Sequence, residues 1–532
     1  MPEYPSPGVY VEEGSTGPKP IKGVSTSLAG FLGLTERGPE DIRDITSWAE
    51  YSRWFGGHMG VDKSFMSYAV QGFFDNGGKR CFVGRIVGGA ANQAAKVAIL
   101  KTEGDSTTFV AIGRGTWGEN IFVRVLSSTK AKKGVTASRQ WIRVQILYFS
   151  GATVDPLKIV DPFKKTKRMI KDQRSPDMIE DFDNLSLDKS ASNSVAAAIN
   201  AGSCLVRLAL SDQVITLSKT NEFRKLGESQ EAISVSVADY QGTSEPIYEV
   251  DPELLGKSTG LTAMDTVDEV SILCAPDHVK LRDIETQLIV SCQKLKDRFA
   301  IFSTPQDFKA ESPLLPFDTT FGALYHPWIW IHDPKTRQDQ LVPPTGHIAG
   351  IIARTDIEQG VFKAPANAVV VGAKKLQSPI TKEIQDLLNP IGVNCIRDFR
   401  AVGRGIRLWG ARTMSSDPEW RSINVRRLFL FIEESIDEGT QWVLFEPNNE
   451  VTWGRVRLSV SNFLTTIWRD GGLLGSKPEE AFFVRCDRTT IDEDDIQNGR
   501  LVCQIGISPI RPAEFVVFRV SQKTANRIRN RE

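Results

Sequence analysis

The stretch "PSPGVYVEE", residues 5–13, restricts what this chain can fold into more than any other. Two prolines and a glycine lead into Val9-Tyr10-Val11. Proline disfavours helix in the residue before it, and β-branched and aromatic residues favour extended backbone. A strand this short is not stable alone. "GSTGPKPIKG" follows at once and reads as a turn-rich tether, not a hairpin partner. The rest of the chain decides what such a strand can pair with.

At 532 residues the chain exceeds one ordinary core, which predicts two to four domains. Lys plus Arg (65) equals Asp plus Glu (65), so bulk charge gives no argument for nucleic acid or an anionic membrane as main partner. No run approaches the ~20 apolar residues of a membrane helix, and the first residues lack the basic start and apolar run of a secretory signal. The seven cysteines are scattered without a Cys-x-x-Cys, which predicts reduced thiols buried as small hydrophobes in a cytosolic product.

Periodicity divides the chain. "STSLAGFLGLTERGP" reads as a buried strand and turn, "SWAEYSRWFGG" as a short helix, and "FMSYAVQGFFDNGG" as a helix with Phe65, Ala69, Phe73 and Phe74 on one face. "KRCFVGRIV" is the next strand. From about residue 95 alternating stretches such as "ENIFVRVLSS" and "RQWIRVQILYFSG" predict β structure, while "DPFKKTKRMIKDQRSPDMIEDFDN" reads as charged and irregular. The αβ pattern returns at "VDEVSILCAPD". A helix follows, with Leu281, Ile284, Leu288, Cys292 and Leu295 at 3/4 spacing. A further unit begins at "PEWRSINVRRLFLFIEESID". It has a second helix carrying Val456, Val460, Phe463 and Ile467, then strands "AFFVRCD" and "LVCQIGISP" and a terminal strand "PAEFVVFRVSQ". The fold class expected is α+β and multidomain. Residues 1–22 form an arm, and 23–94 with 250–415 a split αβ domain. Residues 95–249 form a mostly β insertion pointing outward, 416–510 a C-terminal αβ domain, and 511–532 a second arm with a basic tail.

Motifs for chemistry fail on context. "GRGTWG" (Gly113, Gly115, Gly118) matches a dinucleotide fingerprint, but a strand-like run follows where a helix must hold the pyrophosphate. "GKSTG" (Gly256, Ser258, Gly260) lacks the strand–helix frame of a hydrolase elbow, and Asp251 stands where a phosphate loop needs its first glycine. His326, His332 and His347 lack metal-ligand spacing, and "IDEDDIQNG" lacks the alternation and final Glu of a calcium loop. No catalytic residue, cofactor or metal is predicted. Arg421, Arg426, Arg427, Arg455 and Arg457 on the two C-terminal helices fit either solvated faces or a charged docking face.

Ten blocks in order resemble the contractile tail sheath family. Beyond "PSPGVYVEE" and "AVQGFFDNGGKRCFVGRIV" these include "ALYHPWIWIHDP", "VPPTGHIAGIIARTD", "NPIGVNCIRDF", "LWGARTM", "INVRRLFLFIEESI" and "FEPNNEVTWGRVRLSVSNFL", covering roughly residues 5–95 and 265–521. The resemblance implies a structural, non-enzymatic subunit of a phage tail or phage-like contractile injector, assembled in the bacterial cytoplasm. Implied partners are many copies of itself, an inner tube protein, and baseplate and terminal cap proteins, with no nucleic acid and no membrane insertion. It also answers the opening question. A tethered strand without an intrachain partner suits β-augmentation. Val9, Tyr10, Val11 and Glu12 are expected to join a neighbour's C-terminal sheet, and Phe515, Val516, Val517, Phe518, Arg519 and Val520 another neighbour's. Arg426, Arg455 and Arg457 are the expected tube-facing charges. The rival reading is a nucleotide-cofactor enzyme or serine hydrolase using the glycine-rich turns.

Overall fold

The computed structural model describes residues 20–89, 99–101, 107–129, 141–151, 154–164, 173–210, 215–227, 234–244, 258–310 and 317–515. Short apolar runs without alternation suit strands covered on both faces. AGFLG (Ala29–Gly33), CFVGR (Cys81–Arg85), ILC (Ile272–Cys274), FAIFS (Phe299–Ser303) and GALYH (Gly322–His326) are such runs, every residue buried. With Val393–Asp398 they form the parallel centre of a nine-stranded sheet. Its edges turn antiparallel, at Arg43–Ile45 on one side and at Ile406–Leu408 and Ala368–Val369 on the other. Phe31 pairs with Val83 on one side and Cys274 on the other, so chain from before and after the insertion shares one ladder.

Each face of this sheet carries its own core. On one side the helices Met66–Asp75 and Thr345–Gln359 bury Phe31, Phe73, Tyr325 and Ile352. Their backbones nearly touch: a Cβ on Gly346 would lie 2.0 Å from the Ala69 carbonyl oxygen, and one on Gly350 2.4 Å from that of Phe73. Only glycine permits that approach. On the other side Ile284, Leu288 and Cys292 of the helix Asp283–Leu295 meet Leu32, Leu273 and Phe302.

Residues 99–225 supply two further sheets. One runs Arg224–Lys225, Ile121–Ser127, Trp141–Tyr148, Met178–Ser186, and the other Ile99–Lys101, Thr107–Ala111, Val206–Leu210. They share a core through Val123, Ile146, Leu208 and Ile199 of the helix Val195–Gly202. Met178–Ser186 corrects the expectation of irregular chain: an edge strand tolerates charge. Its Asp181 pairs with Arg143 across the ladder, and its buried Glu180 accepts from Ser203 Oγ (2.6 Å) and the Cys204 amide (2.8 Å). A buried pair, Arg114 Nε to Glu40 Oε1 at 3.0 Å, fixes this unit to the larger one. The chain is back in the larger core by Tyr240, which is fully buried there, ahead of the expected boundary at 249.

In the C-terminal unit the long helix runs from Ile423 to Thr440, within the stretch read as the opening of that unit. Glu450–Arg469 follows, with Asn449 Oδ1 accepting from the Val451 and Thr452 amides as its cap. Leu428 and Ile432 pack against Trp453, Val456, Val460, Phe463 and Ile467. No helix among the described residues is long and apolar enough to cross a membrane.

Candidate assembly interface

Beside these helices lies a sheet of only two strands, Phe482–Arg485 and Gln504–Ile507, antiparallel with Phe482 opposite Ile507 and Arg485 opposite Gln504. Among the described residues no third strand joins it, so each strand has an outer edge without a strand partner, save that the Phe482 amide donates to the Pro478 carbonyl. Such edges template pairing with added chain. Phe483 adds an exposed aromatic on one strand.

The N-terminal segment is anchored beside the same unit. Ile21 is buried in its core, the Val24 amide donates to Ser435 Oγ (3.1 Å), and Arg427 Nη2 donates to the Thr26 carbonyl (2.7 Å). At the other end Asn424 Nδ2 donates to the Ile510 carbonyl (2.9 Å), and Glu514 pairs with Arg412. Both described ends therefore leave from the C-terminal unit and its border. Val9, Tyr10, Val11, Glu12 and Val516–Val520 lie outside the described residues; Phe515, the first of the expected C-terminal set, is exposed.

The structure separates the three expected tube-facing arginines. Arg426 is 6% exposed, stacked over Phe321 (4.4 Å) and Trp420 (5.0 Å) and 3.6 Å from Glu433. It is an internal cation, which corrects its reading as a docking charge. Helical position decided this: Arg426 sits beside the core residues Val425 and Leu428, where the sequence showed only a basic pair. Arg455 and Arg457 do reach the surface of the second helix, Arg457 lying 3.9 Å from Asp487. Exposed Val451 and Leu458 lie on either side of them along the helix, and exposed Leu444 and Phe445 precede them in the loop.

The exposed charge of the first helix is acidic, a feature the arginine-based reading passed over although "IEESIDEG" displays it. Glu433, Glu434, Asp437 and Glu438 line its last turns, and Asp268 and Asp297 of the larger domain face them. Burial first, then Asp297, Glu438, Asp437 and Asp268, push the Glu434 carboxyl up to about 7. A folded-state value above the ordinary 4.5 means the folded chain keeps a proton the unfolded chain has released. Stability from this group is therefore full below about 4.5 and lost as pH rises through 7. Thermal unfolding followed from pH 5 to 8 is expected to show a falling midpoint in the native chain and a flatter profile in Glu434→Gln.

The motifs weighed for chemistry have structural places. Gly113 and Gly115 sit in a turn whose 3-10 continuation, Thr116–Asn120, leads into the strand Ile121–Ser127, and Trp117 Nε1 donates to the Arg114 carbonyl. Ser258 precedes the five-residue helix Gly260–Met264, and Gly256 lies outside the described residues. His326 bonds Thr304 (2.9 Å), and burial pushes both His326 and His347 down to about 4, keeping them neutral. His332 sits 3.5 Å from Asp339. Asp492 and Asp495 form the capping box of the short helix Glu493–Gln497. Among the described residues no group of His, Cys, Asp and Glu is placed to hold a metal.

The fold is that of contractile sheath subunits. It aligns over 98% of this chain and 100% of the other with the helical sheath of the anti-feeding prophage in its contracted state (TM-score 0.57, 22% identity). It aligns over 98% and 99% with the contracted PVC sheath complex, an extracellular contractile injection system (TM-score 0.56, 21% identity). In sequence, residues 250–414 match the phage tail sheath protein central domain and residues 415–523 the phage tail sheath C-terminal domain, together just over half the chain. The chain belongs to the phage tail sheath family and is a structural protein, not an enzyme. The tail sheath protein of Vibrio phage KVP40 is 27% identical over 218 residues, which span 40% of this chain but only 31% of that relative. A putative prophage major tail sheath protein of Pseudomonas aeruginosa is 25% identical over 283 residues, 50% of this chain and 69% of the relative.

Proposed function

We propose that this chain assembles with many copies of itself into a helical sheath around an inner tube, between a baseplate and a terminal cap, and that its contraction drives the tube through a target envelope. The two open edges of the sheet Phe482–Arg485/Gln504–Ile507, beside anchored chain ends, are the observation that carries this reading. Val9–Glu12 of one neighbour and Phe515–Val520 of another fill those edges by β-augmentation. The Gly- and Pro-rich tether lets the bodies rotate while the pairing holds. The extended sheath is metastable, and contraction repacks rigid bodies over more shared surface. An extra ~400 Å² of apolar burial per subunit would supply roughly 10 kcal/mol before opposing costs, with no nucleotide consumed. Electron microscopy of the purified chain tests this: hollow helical tubes are expected, and a persistently monomeric product rejects it.

The surface of Arg455 and Arg457, with Val451 and Leu458, is the tube-facing patch. Exposed charge contacts are individually weak and screened by salt, which suits a contact that must release. Arg455→Glu/Arg457→Glu is expected to leave the subunit folded and to lower co-assembly with the inner tube about tenfold at low salt, at ~1.4 kcal/mol for the pair. Unchanged loading of sheath onto tube, scored by microscopy, removes the assignment.

A further inference from the structure

We propose that Cys486 and Cys503 form an oxidant-inducible intrachain disulfide that staples the two-stranded sheet at its end. The ladder pairs Arg485 with Gln504, so the next opposed residues are Cys486 and Cys503. The Ser508 amide donates to the Ala481 carbonyl at 2.8 Å, which makes Ala481 and Ser508 a hydrogen-bonded pair. Antiparallel pairs alternate in kind, so 483 with 506 and 485 with 504 are of the same kind, and 486 with 503 is the close, non-hydrogen-bonded kind. Such a pair brings Cα atoms to about 4.5 Å, inside the range a disulfide spans. Both thiols are free, and Cys486 acts as donor toward Cys503 in setting their acidities. The remaining five, Cys81, Cys204, Cys274, Cys292 and Cys395, are buried on other elements.

The two thiols differ in a way that orders the chemistry. Cys486 is 1% exposed, while Cys503 is partly open. The hydrogen bond from Cys486, then the charge of Arg457, hold the Cys503 thiol below its ordinary value against the opposing effect of burial. Cys503 thiolate attacks one sulfur of a small-molecule disulfide such as oxidised glutathione, forming a mixed disulfide and displacing one reagent thiolate. Cys486 then loses its proton, and its thiolate attacks Cys503 Sγ and displaces the second reagent thiolate. Two protein thiols are oxidised, one small disulfide is reduced to two thiols, and the two protons end on those thiols. The bond closes the 486–503 segment and pins the strand register, leaving both outer edges open. The inference stands on that register and does not depend on what fills the edges.

The test treats the full native chain with oxidised glutathione, quenches with acid, alkylates after denaturation and maps peptides by mass. A Cys486–Cys503 linked peptide lacking two hydrogen masses is expected, with the other five cysteines alkylated and an unfolding midpoint that rises and falls back on adding reductant. Cys486→Ser is expected to stop at a glutathione adduct on Cys503, and Cys503→Ser to leave Cys486 unmodified. Two alkylated thiols at 486 and 503 after oxidation, or linkage of either to another cysteine or another copy, overturns the proposal.

Discussion

Removing residues 1–20 is expected to leave a folded subunit that forms no tubes. The cut falls just before the anchored segment, so Ile21 keeps its place in the C-terminal core and Thr26 its bond to Arg427. Circular dichroism and the unfolding midpoint should therefore match those of the whole chain. On the β-augmentation proposed above, the truncation removes the donated strand, whose backbone bonds would net about 1 kcal/mol each. One such strand is a weak link. In a lattice where every copy gives one and receives one, the loss is repeated at every node, and effective concentration no longer rescues the remaining contacts. Tube yield in negative stain should fall to background, and adding the first twenty residues as a free peptide should restore little, because it fills an edge without linking two bodies. Tubes of ordinary length from the truncated chain would show that the N-terminal strand is not what joins the copies.

How far sequence carried the fold follows from what each element is made of. Cys81–Arg85 lies inside a segment read as strand because it is a short, nearly unbroken apolar run, and Asp283–Leu295 and Glu450–Arg469 lie inside segments read as helices because their apolar residues keep one period from end to end. The turn at Gly113–Gly118 was legible for the same reason: alternation resumes straight after it. Met178–Ser186 was not, since its acids are neutralised by Arg143 on the neighbouring strand and by donors at residues 203–204, partners remote in sequence. Gln338–Val342 is polar throughout its first half and is held by pairing with Ile329–Asp333. Arg426 failed as a surface charge because a helix's buried stripe is wide, and a long side chain within it can end on aromatic faces. The acids of "IEESIDEG" were legible as a charged helix end, but Asp268 and Asp297, which complete the cluster around Glu434, come from a stretch remote in sequence.

The second large effect is expected at a single guanidinium. Arg427, on the helix Ile423–Thr440, donates from Nη1 to Asp356 Oδ1 at 2.9 Å and from Nη2 to Oδ2 at 2.7 Å. Nη2 also reaches the Thr26 carbonyl. Both side chains are nearly sealed from water, at 4% and 2% exposure. Asp356 belongs to the helix Thr345–Gln359 of the larger domain, so one residue ties together the N-terminal lead-in, the central sheet and the C-terminal unit. Burial raises the Asp356 carboxyl against the pull of Arg427, which measures how poorly this site tolerates a lone charge. Arg427→Met should therefore cost about 3–5 kcal/mol in urea unfolding, since it strands a carboxylate in the interior. Asp356→Leu combined with Arg427→Met should recover most of that loss, because a buried pair exchanged for apolar groups is often close to neutral. The double variant keeps the packing but lacks the bidentate grip, so it also separates stability from coupling. If the two domains must turn as one body for the sheath to contract, the double variant should unfold like the native chain yet give tubes that contract slowly or unevenly. Equal losses in the single and double variants would instead mean that the Thr26 bond, not the ion pair, carries the joint.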